Sequence, residues 1–464
     1  MVDYVFERHL SGGILLPANK TASTSHPIHR GFIPSRLVLA VRQHRGPGAV
    51  PCVQIGDRVL KGQTIASAAT VGPSAAVHAS SSGWVRGIEE HPVLTSDGVA
   101  PSLCIMIETD GRDERVPETA RPAWPTRRAD QLKAMRAAGI VGLGGAVYPT
   151  ATKVATPVKC KTLIVNGAEC EPYISCDDML MRERAADVVA GALLLADLLA
   201  APLCILAIER DKPRAMQAVE AAAHERGDPR LKLAEVPTIY PAGGERQLVE
   251  LLTGEEVPSG RFPTESGYVC QNVGTAYAMQ RLRMEREPLL SRIVTVTGAG
   301  VHTPQNVETP LGTPIGELIA CCGGYKPGAV RLIAGGSMMG AALPDDDVPI
   351  TKATNCVIAA TAIEVRRDES EWPCIRCGDC AAACPSRLLP QELLVATTSG
   401  DHAALETLGL ADCIECGCCD VICPSHIALT ERFRVGKRTL AERERARAHL
   451  EQATARDDAQ DNET

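Results

Sequence analysis

Apolar positions in this chain follow different periods in different stretches, and each period marks a different kind of element. Between residues 30 and 115, short alternating runs such as Arg36-Leu-Val-Leu-Ala-Val41 are separated by Gly, Pro and Ser, the period-two pattern of half-buried strands closed by turns. This predicts a small all-β unit. Gly56 to Gln63 and Val77 to Gly83 have the look of paired hairpins of a barrel-sandwich fold. Carrier domains of that type present a lysine at an exposed tip; Ser80-Ser81-Ser82 offers none, so the unit is expected to be structural, with His78 at its surface.

From Ala129 the pattern alternates between helix and strand. Thr162 to Asn166, Leu203 to Ile208 and Leu231 to Val236 read as short buried strands, with helical stretches at Gln131 to Ala138, Asp178 to Ala200 and Lys212 to Ala223. That order predicts a mostly parallel sheet covered by helices. A smaller β-plus-helix unit follows, with a strand at Ile293 to Thr297 and a helix at Ile315 to Cys322; further helices are expected after Leu388 and His402. Beyond about residue 440 the chain is charged and Ala-rich, a solvated helix expected to fray. The boundaries read this way are 1–128, 129–290, 291–360, 361–440 and a tail at 441–464.

Composition narrows the function. A chain of 464 residues exceeds one hydrophobic core. A net charge of −8 and 3% aromatic residues exclude the basic, base-stacking surface of a nucleic-acid binder. The longest apolar stretch, Ala185 to Ile208, is broken by Asp187, Asp197 and Pro202 and reads as helix then strand rather than a bilayer span.

Eight of nineteen cysteines fall into two copies of one pattern, Cys374-x2-Cys377-x2-Cys380-x3-Cys384-Pro385 and Cys413-x2-Cys416-x2-Cys419-x3-Cys423-Pro424. This is the ligand spacing of two [4Fe–4S] clusters, in which the fourth cysteine of each run serves the other cluster. Cys374, Cys377, Cys380 and Cys423 are then one set and Cys413, Cys416, Cys419 and Cys384 the other, with Cys418 off the spacing. Zinc ribbons need no third cysteine and no Cys-Pro in register, and a disulfide framework suits a small secreted chain. The N-terminal sequence lacks the pattern of a signal peptide, so a reducing cytoplasm is expected. Most remaining cysteines read as small buried residues.

Single-electron carriers fed by a hydride donor need a converter, and flavin is the usual one. Gly142-Leu-Gly144-Gly145-Ala-Val-Tyr148-Pro-Thr-Ala-Thr-Lys153 follows a predicted helix; glycines allow backbone N–H groups to approach a phosphate, and a lysine supplies charge. A glycine-rich turn that merely ends a helix is the alternative. Asn166-Gly-Ala-Glu169-Cys-Glu171-Pro-Tyr173 lies at the C-terminal end of a predicted strand, where open α/β sheets bind ligands. Tyr240-Pro-Ala-Gly243-Gly-Glu245 and Gln271-Asn272-Val-Gly-Thr-Ala-Tyr277 complete the set.

With the cysteine repeat, these segments resemble the C subunit of the Rnf-type ion-translocating NAD:ferredoxin oxidoreductase, and more distantly the NADH-binding flavoprotein subunit of respiratory complex I. The resemblance implies a multidomain α/β protein: an N-terminal barrel-sandwich domain, a Rossmann-like FMN/NADH domain, a small β-grasp domain of the soluble-ligand-binding type, and an α-helical two-cluster ferredoxin domain. It implies that Gly142, Gly144, Gly145 and Lys153 line FMN, with Gly243 in a neighbouring loop and Asn166 and Asn272 hydrogen-bonding the flavin. Tyr148 would stack on the NADH adenine, and Glu169, Glu171 and Glu245 would lie beside the nicotinamide; carboxylates there favour NADH over NADPH. For each glutamate, helix capping or a salt bridge is the competing reading. Val147 stands where the family has glycine, a strain if that backbone needs positive φ.

The implied role is a peripheral electron-input subunit on the cytoplasmic face of the cell membrane. It would pass electrons from NADH through FMN and two clusters to integral membrane and iron–sulfur partner subunits, with ferredoxin reached through the complex. A stand-alone cobalamin reductase lacks the N-terminal barrel, and a binding protein with structural clusters has no use for the flavin-like loops.

Overall fold

The computed structural model describes residues 10–95, 98–365 and 370–461, with side chains of the C-terminal helix as far as Arg447. Two compact units emerge: residues 15–257 with 261–365, and a second made of 10–14, 258–260 and 370 onward.

The first unit opens with the β structure expected from its alternating pattern. Arg36–Ala40, Gly98–Thr109, Gly83–Thr95 and Arg58–Val59 form an antiparallel sheet in that spatial order, and Val50–Pro51, Thr64–Ser67 and Val77–His78 form a second. Leu37, Leu39, Ile65, Val85, Ile105 and Ile107 fill the space between, all essentially inaccessible to solvent. One expectation is overturned: Ser80, Ser81, Ser82 and His78 are buried. Ser81 and Ser82 donate to Asp113 (2.8 Å) and Asp110 (2.6 Å), and Ser80 donates to the Leu311 carbonyl. Hydroxyls with internal acceptors can be buried at little cost, which alternation alone does not reveal.

Next comes a four-stranded parallel sheet, in spatial order Leu231–Val236, Cys204–Glu209, Thr162–Gly167, Tyr268–Asn272. Helix Cys176–Leu199 is buried along most of its length and packs on helices Val273–Glu285 and Pro213–Arg226. A Cβ at Gly191 would fall 1.8 Å from the Ala276 carbonyl, so only glycine permits that helix contact. The fourth strand was not foreseen, because Tyr-Val-Cys-Gln-Asn lacks a clear apolar run.

A mixed five-stranded sheet follows, in the order Gln305–Pro310, Ser291–Thr297, Cys356–Thr361, Ala329–Ala334, Ala341–Ala342, packed on helix Ile315–Cys321. The second unit is helical: Asp379–Ala382, Pro390–Ser399, His402–Thr407, Cys418–Ile422 and Leu429–Asp461 surround Leu393, Leu405, Leu410, Ile427 and Phe433. The final helix is continuous, and the fraying expected of its last residues lies outside those whose side chains are described.

Candidate functional site

The order of the parallel sheet creates its own crevice. The chain builds outward from Thr162–Gly167 through Cys204–Glu209 to Leu231–Val236, then returns to place Tyr268–Asn272 on the other side of the first strand. The order in which strands are added reverses between these two neighbours, and their C-terminal ends lie side by side, the place where such sheets bind ligands. Asn166 and Asn272 end these two strands and are paired directly across the ladder. The Asn272 side chain caps helix Val273–Glu285, its oxygen accepting from Gly274 N–H at 2.8 Å while Nδ2 donates to Asp177 at 2.6 Å. Asn166 is held equally firmly: Nδ2 donates to the Gly243 carbonyl at 2.9 Å and Oδ1 accepts from Ala168 N–H at 2.9 Å.

The glycine loop covers this crevice. A Cβ at Gly144 would lie 3.5 Å from Cβ of Asn272, so loop and strand end are in contact. Gly142 N–H donates to the Tyr148 carbonyl at 2.8 Å, closing the loop. Gly145 has φ +99° with open space around it, and among the described residues the N–H groups of Gly144, Gly145 and Ala146 have no acceptor. Successive unsatisfied amides at the surface form an anion-binding nest, the feature a flavin phosphate requires. Val147, at φ +43°, is in the left-handed region that β-branched residues avoid, and its side chain is nevertheless buried. Burial of an isopropyl group offsets the backbone strain that the sequence raised as a conflict. Tyr148 keeps its ring at the surface.

The predicted charged residues sort into three arrangements. Lys153 and Glu245 pair with each other at 2.7 Å, joining the glycine loop to the loop that carries Gly243. There a Cβ at Gly243 would meet the Ala168 carbonyl at 2.3 Å. Glu169 caps helix Cys176–Leu199, accepting from Asp177 N–H at 2.8 Å and Asp178 N–H at 3.3 Å. Burial first, and the nearby Asp177 second, push its carboxyl up to about 7, against the pull of Lys20 and Lys212. Glu171 turns toward the β-grasp sheet, accepting from Met338 N–H (3.1 Å) and Met339 N–H (2.9 Å), and burial raises its carboxyl to about 7 as well. The capping reading weighed for these glutamates therefore describes Glu169, and the salt-bridge reading Glu245.

Sequence reasoning missed Asp177, Thr275, Arg292, Lys20 and Lys212, all of which meet at this end of the sheet. Lys212 is buried against Glu209 and Asp211, and Lys20 donates to the Glu169 carbonyl. Asp177 stands in the first turn of the helix that follows the Asn166 segment, a signal available had that motif been followed further. Glu169, Cys176 and Asp177 bring three ligand-type atoms within 4.8 Å of one another. Arg292, Lys20 and Lys212 already supply positive charge there, and Cys176 donates to Glu169 at 3.3 Å, so the group is internally neutralised.

In the second unit the eight repeat cysteines line two separate cavities. Cys374, Cys377, Cys380 and Cys423 line one; Cys384, Cys413, Cys416 and Cys419 line the other. The backbone repeats with the sulfurs: Arg376 and Glu415 (φ +56° and +57°), Gly378 and Gly417 (+87° and +76°), and Arg387 and His426 (+53° and +54°) are matched left-handed positions. The two halves thus repeat the same left-handed turns, and each set of four cysteines borders its own pocket. Cys418 also borders the second cavity, but its counterpart in the first half is Asp379. Gly12 packs on the Cys384 carbonyl, where a Cβ would lie 2.5 Å away.

Comparison with known proteins agrees with this architecture. Residues 8–112 match the RnfC barrel sandwich hybrid domain, 135–281 the Nuo51 FMN-binding domain and 293–342 the SLBB domain. The C subunit of the ion-translocating oxidoreductase complex from Pseudomonas aeruginosa is 46% identical over 96% of this chain and 58% of its own length. Its counterpart from Serratia proteamaculans is 40% identical over 97% and 63%. The chain thus spans about three fifths of the length of these curated relatives. An NAD+-reducing [NiFe]-hydrogenase in the H2-reduced state has a chain that is 22% identical with a TM-score of 0.48, covering 70% of this chain and 63% of that one, a likeness on which no argument rests. The resemblance carried by the motifs runs along nearly the whole chain, which is similar over that length to C subunits of ion-translocating oxidoreductase complexes.

Proposed function

We propose that this chain is an electron-input component of a membrane-bound ion-translocating NAD:ferredoxin oxidoreductase, binding FMN at the switch point of its parallel sheet and two [4Fe–4S] clusters through its eight repeat cysteines. FMN would supply the exchange of a two-electron hydride from NADH for single electrons, and the clusters would carry those electrons onward. The chain's own residues bind and orient. Free amides of Gly144, Gly145 and Ala146 offer hydrogen bonds to a phosphate, with the Lys153 ammonium nearby to balance its charge. Asn166 and Asn272 fix the crevice floor, and the exposed Tyr148 ring offers a surface for an adenine to stack on. With Lys153 turned to the phosphate, Glu245 would be left as a carboxylate that disfavours a 2′-phosphate and so NADPH.

The observation that carries this reading is the pairing of Asn166 with Asn272 at the switch point, beneath a glycine loop whose amides lack acceptors. Among the described residues no helix is long and apolar enough to cross a membrane. We place the chain as a peripheral subunit at the cytoplasmic face, coupled through integral and iron–sulfur partners to ion movement and to ferredoxin. The test is reduction of an artificial dye by the anaerobically purified chain. NADH should support it, NADPH should do so far less well, and addition of FMN to flavin-stripped protein should restore it. Equal rates with and without flavin would sink the proposal.

A further inference from the structure

Arg292 belongs to strand Ser291–Thr297 of the five-stranded sheet, yet its guanidinium is buried at the glycine loop of the neighbouring α/β domain. One terminal nitrogen donates to the Leu143 carbonyl and the other to the Lys352 carbonyl. The N–H of Leu143 donates to Thr275 Oγ1 at 2.9 Å, so both backbone groups of this loop residue are tied, from different elements. Further along, the Val147 carbonyl accepts from Arg45 N–H at 3.2 Å. Between these ties lie the free amides of Gly144, Gly145 and Ala146. Nε of Arg292 is buried without a partner among the described residues, and the side chain borders a cavity shared with Leu143, Asp177, Asn272 and Gly274. The acidic groups facing it are Cys176, Asp177 and Glu169.

We propose that Arg292 is a positioning residue for the flavin: by fixing the Leu143 carbonyl it holds the glycine loop in its observed conformation before FMN arrives, so that the five-stranded domain shapes a binding loop of another domain. Arg292 acts through Leu143. Arginine suits the task because its rigid fork reaches two carbonyls at once, whereas the single ammonium of lysine cannot hold both in the same geometry. Leaving two tied carbonyls short of donors would loosen the loop, and the entropy of ordering it would then be drawn from FMN binding. The inference rests on the flavin reading above.

The experiment compares the full-length wild type with Arg292→Lys and Arg281→Lys after flavin removal, using FMN fluorescence titration and hydrogen exchange of the FMN-free protein. Arg281 borders the same cavity but pairs with Glu287 and Glu308 and does not touch the loop, so it controls for general loosening. Arg292→Lys should bind FMN about tenfold more weakly or worse, with faster exchange at the Gly142 and Leu143 amides, while Arg281→Lys keeps wild-type affinity. Wild-type affinity and exchange in Arg292→Lys, or an equal loss in Arg281→Lys, would overturn the proposal. If Arg292→Lys does not fold, the wild type decides: its Gly142 and Leu143 amides should be protected without FMN, and protection that appears only on adding FMN contradicts pre-positioning. A wild type that binds no FMN would instead refute the flavin site itself.

Discussion

Lys352 is buried with its ammonium nitrogen 3.1 Å from the Ala76 carbonyl and 2.8 Å from the Gly139 carbonyl, and no carboxylate stands opposite it among the described residues. Burial pulls its pKa down to about 7, and the neighbouring His44 and His78 rings are lowered as well, chiefly by burial and then by Lys352. Between about pH 7 and the unfolded lysine value near 10.5, the unfolded chain holds a proton that the folded chain has released. Stability therefore rises with pH across that window and is lowest below it. From pH 7 to pH 9 this one group contributes a gain of about 2 kcal/mol, under a ceiling of about 5 kcal/mol for the whole window. In Lys352→Met the two carbonyls lose a donor, a cost on the order of 1–3 kcal/mol each that does not depend on pH. The discriminating quantity is consequently the slope. Calorimetric melting of the wild type should climb by a few degrees between pH 7 and pH 9 relative to the methionine variant, whatever their offset at pH 7. Parallel profiles would show that Lys352 stays charged when buried, and the argument from carbonyl-only partners would fail.

Other outcomes follow from the sites. Lys153→Ala should weaken FMN retention about tenfold by removing a charge beside the phosphate nest, measured by equilibrium dialysis; unchanged retention would confine Lys153 to its pair with Glu245. Cys384→Ser should degrade the cluster whose other ligands are Cys413, Cys416 and Cys419, seen in paramagnetic spectra of the reduced protein; loss of the other cluster instead would reverse the ligand register. Cys418→Ser should keep full iron content, since Asp379 occupies the matching position in the first half. Val147→Gly should leave FMN affinity intact while lowering thermal stability slightly, because the lost burial of an isopropyl group, about 1.5–3 kcal/mol, outweighs relief of about 1–2 kcal/mol of left-handed strain.

Periodicity made the parallel sheet and its helices legible because their apolar runs are long and uninterrupted, as in Cys204–Glu209 and the helix from Cys176 to Leu199. It missed Tyr268–Asn272, where polar Gln271 and Asn272 interrupt the pattern at the point where the strand serves the site. The cysteine repeat was readable because its spacing is itself the geometry. Arg292 was not: its role depends on a side chain reaching from one domain to a carbonyl 149 residues away, and no local pattern records that distance. The buried serine tip and His78 were misread for the same reason, since the groups they meet, Asp110, Asp113 and the backbone at Leu311 and Ala137, lie elsewhere in the chain.

The most direct measurement of the central claim is a combined iron, sulfide and flavin analysis of anaerobically purified protein, followed by NADH titration in the visible spectrum. The account expects about eight irons and eight sulfides per chain with one non-covalent FMN, whose absorbance bleaches on adding NADH. Iron in that amount without flavin, or flavin that NADH leaves oxidised, would contradict the chain's assignment as the point where electrons enter.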